Sequence, residues 1–277
     1  MLNVEGLIII WIFNHNKKED FMSQTFDLYE DNVFQIGSNK RERKRAKRQS
    51  VRQATQRKNS LNLEYIEPMT DNQEKVFNSY LSGKNVMCHG VAGTGKTFVA
   101  SYLAIRDIIE DYDDKQTMHI VRSVVPTRDM GFLPGSQKEK AKAYEAPYYS
   151  IFSELFGRGD AYEVLKTQGK VNFTTTSFVR GMTFNDCIVV VDECQNMTYH
   201  ELDSIITRLG DNSRLIFCGD FRQSDFKWDD ERKGILDFMK IIRKMPSFDF
   251  VEFERDDIVR SSLVKEYICT KLDLGLH

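Results

Sequence analysis

Gly90-Val91-Ala92-Gly93-Thr94-Gly95-Lys96-Thr97 fits the spacing G-x-x-x-x-G-K-[ST] at every fixed position. That spacing suits the holding of a chain of phosphates. The glycines let the backbone turn sharply and aim its N–H groups at phosphate oxygens. A helix beginning where the loop ends adds partial positive charge. Lys96 can then reach β- and γ-phosphates, and Thr97 can offer its hydroxyl to Mg²⁺. All eight residues are candidate nucleotide contacts, with ATP and Mg²⁺ as the expected ligands. A second group, Asp192-Glu193, closes the apolar run Cys187 to Val191. A carboxylate at the tip of a strand beside the glycine loop can hold Mg²⁺ through water, and the next can polarise an attacking water. Asp192 and Thr97 are therefore assigned to the metal, Glu193 to general-base duty and Lys96 to charge neutralisation.

Further polar residues stand where chemistry could use them. Gln73 lies 17 residues before Gly90, a distance at which many nucleic-acid-dependent ATPases place an amide to read the adenine edge. Arg122 and Ser123 leave a predicted strand just before a proline, a place to grip a sugar-phosphate backbone or an ordinary loop exit. Gly219-Asp220-Phe221-Arg222-Gln223 follows another strand, and Gln223 or Asp220 could sense a γ-phosphate.

The elements that must position these groups follow from periodicity. Asn85 to His89 is short and largely apolar, as a buried strand would be. From Phe98 onward, Phe98, Tyr102, Ile105 and Ile109 share one helical face. Thr70 or Asp71 can cap a helix through Tyr80 and Leu81. Met118 to Val121 and Val171 to Ser177 read as strands, the second alternating and rich in β-formers. Cys187 to Val191 is a continuous apolar run, expected of a central strand covered on both faces. Arg214 to Cys218 and Phe248 to Phe253 read as strands, Glu231 to Arg243 as an amphipathic helix, and Asp256 to Leu272 as a final helix bearing Arg260. Thr127 to Tyr149 is long for a connection and predicts a functional loop or helical hairpin inserted near 127–168. Tyr144, Tyr148, Tyr149 and Phe152 cluster there beside lysines, which suits either base stacking or packing on the body. Alternating strands and helices after a glycine loop predict an α/β domain of RecA type, a P-loop NTPase fold with a mostly parallel sheet flanked by helices. It spans 61–277, with 1–60 a flexible tail.

Composition bounds these readings. The chain has 277 residues, 41% hydrophobic and 29% charged, as in ordinary soluble domains. None of its five cysteines forms a C-x-x-C pair, so they read as reduced thiols of a cytoplasmic protein, not a zinc site or a disulfide frame. The longest apolar run, Leu7 to Phe13, is too short to span a bilayer. Met22 opens a more ordinary polar start, and residues 1–21 read as an upstream start or a loose tail. Lys40 to Lys58 carries ten basic residues against Glu42, a charge of +9 within a chain of net −2, so the remainder carries −11. A basic arm on an acidic body suits a polyanion, or simply solvation.

Several motifs in one order resemble the PhoH family of ATPases, whose core is similar to the first motor domain of superfamily 1 helicases. They are Thr70-x-Asn72-Gln73, the loop Gly90 to Thr97, Gly131-Phe132-Leu133-Pro134-Gly135, Phe178-Val179-Arg180-Gly181-Met182-Thr183, Asp192-Glu193-Cys194-Gln195-Asn196, Gly219-Asp220-x-x-Gln223 and Asp257-Ile258-Val259-Arg260. The resemblance covers about residues 67 to 270 and implies a phage or bacterial Mg²⁺-dependent ATPase acting with RNA or single-stranded DNA. Arg122, Ser123 and Arg180 are its candidate nucleic-acid contacts. Superfamily 1 motors close their site between two such domains, and this chain has room for one. That implies a homo-oligomer, a hexameric ring as in related proteins, with Arg260 or Arg255 given in trans. Three activities fit: a translocase or helicase, a nucleic-acid-binding ATPase switch that does not unwind, and a nucleoside kinase, the last disfavoured because paired cysteines for a zinc ribbon are absent.

Overall fold

The computed structural model describes residues 61–110, 117–123, 137–221 and 229–275. The basic arm, Gly131 to Gly135 and Gln223 lie outside the described residues.

Helix α1 (Asp71–Leu81) starts where Thr70 accepts a hydrogen bond from the Gln73 N–H, and it buries Gln73, Val76, Phe77 and Tyr80 on one face. Strand β1 (Asn85–Gly90) follows, then the glycine loop and helix α2 (Lys96–Ile109). The expected apolar face of α2 is wider than predicted. Tyr102 and Ile105 are buried, and so are Val99, Ala100, Leu103, Ala104 and Ile108. The chain continues through β2 (Thr117–Arg122), α3 (Gln137–Phe156), α4 (Ala161–Thr167), β3 (Val171–Thr175) and the single turn α5 (Thr176–Val179). Then come β4 (Cys187–Asp192), α6 (Tyr199–Ile206), β5 (Arg214–Gly219), α7 (Asp229–Lys244), β6 (Phe248–Phe253) and α8 (Ser262–Asp273).

The strands form one six-stranded sheet in the order β3-β2-β4-β5-β1-β6, and every pairing is parallel. A parallel sheet must be covered on both faces, so its central strands are apolar throughout. In β4, Ile188 and Val190 join the core that holds α1 to α4, while Val189 and Val191 join the core beneath α6 and α7. Strand β1 divides likewise, with Val86 and Cys88 on one side and Met87 on the other.

Three local expectations change. Strand β4 is not beside the glycine-loop strand, because β5 lies between them. The alternating run from Val171 ends as a strand at Thr175 and turns into α5. The final helix begins at Ser262 rather than Asp256. A 3-10 turn covers Arg255–Asp257, Ile258 is extended, and Val259 bonds to the glycine loop. Asp257 holds that turn by accepting from the Glu254 N–H and from Asn72 Nδ2, both at 2.7 Å.

Candidate nucleotide site

In an all-parallel sheet the C-terminal strand ends meet along one edge, where open α/β sheets take their ligands. Register places them there. Arg122 pairs with Asp192 and with Thr175, His89 with Gly219, and Gly90 with Phe253.

The glycine loop is fixed from several sides. Gly90 has φ +125, and a Cβ there would lie 2.1 Å from the Phe253 carbonyl oxygen, so no side chain fits between β1 and β6. The Val91 N–H donates to Phe253 O at 3.1 Å, Val259 N–H to Gly93 O at 3.1 Å, and Gln73 Nε2 to Thr94 O at 3.0 Å. Thr94 is fully buried, and its hydroxyl donates to Val91 O at 3.0 Å. Gly95, in the left-handed region, leads into α2. With their carbonyls held, the loop peptides have fixed planes, as an anion-binding nest requires.

Lys96 Nζ lies over this loop, donating to Gly90 O at 2.9 Å and Val91 O at 2.7 Å, with Thr94 Oγ1 at 3.3 Å. Burial pulls its pKa below the ordinary lysine value, and the negative charge of Asp220 and Glu193 opposes that shift. Thr97 Oγ1 donates to Asp192 Oδ1 at 2.6 Å, across 95 residues of sequence. Loop and strand-end carboxylate are thus brought into contact although β5 separates their strands. Asp192 is 4% exposed, and its second oxygen accepts from the Tyr148 hydroxyl at 2.7 Å.

Glu193 stands in the left-handed region at φ +52, a conformation uncommon for a side-chain-bearing residue and concentrated at functional sites. Gln195 Nε2 donates to Glu193 Oε2, and Gln195 Oε1 accepts from the Asp220 N–H at 3.1 Å. One amide therefore spans the ends of β4 and β5. Arg122 approaches from β2, 4.0 Å from Glu193 Oε1.

The other predicted residues fall in different places. Gln73 is buried, with Oε1 accepting from the Met69 N–H at 2.8 Å and Nε2 on the loop. Its amide retains one further N–H and one lone pair by inventory. Ser123 is buried against Glu201, 3.5 Å away, a carboxylate that also accepts from Thr176 and closes the Thr198 capping box of α6. Arg122 sits with the acidic pair, whereas Arg180 is exposed just beyond α5, a turn in which Phe178 is 59% exposed. Arg260 lies beside the glycine loop of its own chain, with its Cγ 3.0 Å from where a Gly93 Cβ would be. Arg255 is ion-paired with Asp273 on α8. Sequence reasoning gave no role to Gln195 and read Tyr148 as base stacking or packing. The Asp-Glu-x-Gln spacing holds a signal for the first, and nothing in the sequence marks the second as a partner of Asp192.

The residues fit a magnesium-bound nucleotide. Among the described residues no cluster of three His, Cys, Asp or Glu side chains could hold a metal alone. Mg²⁺ is commonly bound by one or two protein oxygens plus substrate phosphates and water, and Thr97 with Asp192 supplies that set. The PhoH-like protein family matches residues 65–270. The chain belongs to that family. This PhoH-like domain is 29% identical over 206 residues to a PhoH-like protein of Synechocystis sp., covering 74% of this chain and 62% of the relative. It is 31% identical over 180 residues to Protein PhoH of Escherichia coli, covering 64% and 50% respectively. The chain thus spans between half and two thirds of the length of these relatives. Among solved structures it is similar to the large terminase of a thermophilic bacteriophage, with TM-score 0.43, 15% identity, and 73% and 50% of the two chains covered. Unliganded Pif1 from Bacteroides sp. gives TM-score 0.36 at 18% identity over 68% and 41%. The PhoH-like chain is thus an all-parallel α/β domain carrying a P-loop sequence at the C-terminal end of β1. No helix among its described residues is long and apolar enough to cross a membrane.

Proposed function

We propose that the domain hydrolyses ATP with Mg²⁺ and couples turnover to RNA or single-stranded DNA, as a translocase or helicase. The observation that carries the reading is the 2.6 Å contact between Thr97 and Asp192. It brings the phosphate loop and the acidic strand end within reach of one ion. Bound Mg²⁺ would neutralise phosphate charge as the γ-phosphoryl transfers. The residues do the rest. The loop amides and Lys96 cradle the phosphates, with Lys96 exchanging its bonds to Gly90 and Val91 for phosphate oxygens. Glu193, braced by Gln195, orients the attacking water. Asp220, joined to Gln195 through its backbone, lies where the γ-phosphate state could be sensed.

Exposed Arg180 and Phe178 stand on the same sheet edge as the loop. An exposed cation and an exposed aromatic ring on that edge suit contact with a single strand. A homo-oligomeric ring belongs to the same proposal. Mixing Lys96→Ala chains with Arg260→Ala chains restores turnover if the arginine comes from a neighbouring copy. Without rescue, Arg260 serves the loop it already lies beside.

ATP turnover with and without single-stranded RNA or DNA tests the function. Stimulation with strand displacement is expected, and Lys96→Ala should abolish it. Stimulation without displacement would reduce the reading to an ATPase switch. Absence of Mg²⁺-dependent turnover would refute it.

A further inference from the structure

The helical segment between β2 and β3 reaches into the site from outside the phosphate loop and the strand ends. We infer that Tyr148, on α3, is a positioning residue for Asp192 and thereby sets how the site takes up Mg²⁺-nucleotide. The inference rests on the ATPase reading above and adds to it a residue that none of the motifs contains.

Tyr148 is fully buried, and its hydroxyl donates to Asp192 Oδ2 at 2.7 Å across 44 residues of sequence. Thr97 takes the other carboxylate oxygen. Two donors, one on each oxygen, fix the rotation of the carboxylate plane, so its remaining lone pairs keep one direction. Such outer hydrogen bonds orient the groups that receive a metal. Packing alone does not explain a tyrosine here. Its ring lies among Tyr162 and Phe173, at centroid distances of 6.4 and 5.8 Å, where phenylalanine would fill the same space with no buried hydroxyl to satisfy.

The same stretch of α3 touches the second carboxylate through an intermediary. Arg122 Nη1 is 3.5 Å from the Tyr144 carbonyl oxygen, and its guanidinium lies 5.9 Å from the Tyr144 ring centre, while Nη2 faces Glu193 at 4.0 Å. One turn of α3, Tyr144 to Tyr148, therefore bears on Asp192 directly and on Glu193 through Arg122. The turn is itself anchored. Glu145, between these tyrosines, accepts from Tyr162 at 2.9 Å and pairs with Lys166 at 2.5 Å, both on α4. Whatever shifts α3 must shift the carboxylates.

The test compares the full chain, Tyr148→Phe and Tyr162→Phe by binding of a fluorescent ADP analogue, first in excess EDTA and then with rising Mg²⁺. Circular dichroism checks that each variant is folded. Tyr148→Phe keeps the ring and should leave metal-free affinity unchanged while raising the Mg²⁺ midpoint roughly tenfold or more. Tyr162→Phe also removes a buried hydroxyl from this aromatic cluster, but Lys166 still holds Glu145 and with it the turn, so the variant should keep the wild-type midpoint. A wild-type midpoint in Tyr148→Phe overturns the inference and leaves the ATPase reading standing. An equal rise in Tyr162→Phe also overturns it, because general loosening of the helices would then be the cause. Nucleotide binding by the unmodified chain that ignores Mg²⁺ would remove the ATPase reading and this inference together.

Discussion

Adding one methyl at Gly219 tests how tightly the ends of β4 and β5 are joined. A Cβ at Gly219 would lie 2.6 Å from Cys194 Sγ, 2.7 Å from Gln195 Oε1 and 3.2 Å from the Gln195 backbone nitrogen. Ordinary van der Waals contact needs about 3.5–4.0 Å, so the turn after β4 must move by roughly 1 Å or the Gln195 side chain must leave. Either course breaks the bridge in which Gln195 donates to Glu193 and accepts from the Asp220 N–H. The first bond, to a charged carboxylate, is worth about 1.5–3 kcal/mol, and the second about 0.5–1.5 kcal/mol. Gly219→Ala should therefore lose about 2–4.5 kcal/mol of stability, a fall in Tm of roughly 4–18 °C for a domain of this size. Its kcat should fall about 100-fold, the usual penalty for a reacting group misplaced by about 1 Å. Thermal melting and steady-state ATP turnover measure the two effects. Wild-type Tm and kcat together would refute the bridge as the brace of Glu193.

At the opposite end of the sheet, Asp107 is buried and accepts from the Tyr80 hydroxyl at 2.7 Å, with Arg106 at 3.2 Å and Arg214 at 3.5 Å. Asp107→Ala should cost about 3–5 kcal/mol by leaving buried positive charge uncompensated, visible in urea unfolding, while kcat per folded molecule stays unchanged. Asp257 links α1 to the turn before Arg260. Burial pushes its pKa up, but hydrogen bonds from Glu254, Asn72 and Thr70 outweigh that and leave it below the ordinary Asp value. Its contribution should therefore be complete above about pH 3.9 and vanish as the pH falls through the lower folded value. Stability measured from pH 6 to 2 should show Asp257→Asn converging on the wild type at the acid end. Lys96→Ala should abolish ATP turnover yet leave the domain folded, read by turnover and circular dichroism.

The sequence alone settled the phosphate loop, because a glycine loop's conformation depends on which local residues lack a Cβ and which can reach phosphate. It settled most strands and helices for a similar reason. Burial on both faces of a parallel sheet writes itself as runs such as Cys187 to Val191, and a cap such as Thr70 acts within its own turn. Strand order was not readable, because parallel strands are joined by crossovers whose path leaves no local mark. β5 accordingly came to lie between two strands read as neighbours. The turn at Arg255–Asp257 escaped for a like reason, since Asn72, remote in sequence, helps hold it. Only the tertiary structure could decide which neutral partner holds each carboxylate. Ser123, read as a nucleic-acid contact, faces Glu201 inside the fold, and Tyr148, read as stacking or packing, holds Asp192. Hydrogen bonds and ion pairs act across a few ångströms of space whatever the separation along the chain, so their partners exist only once the sheet is assembled.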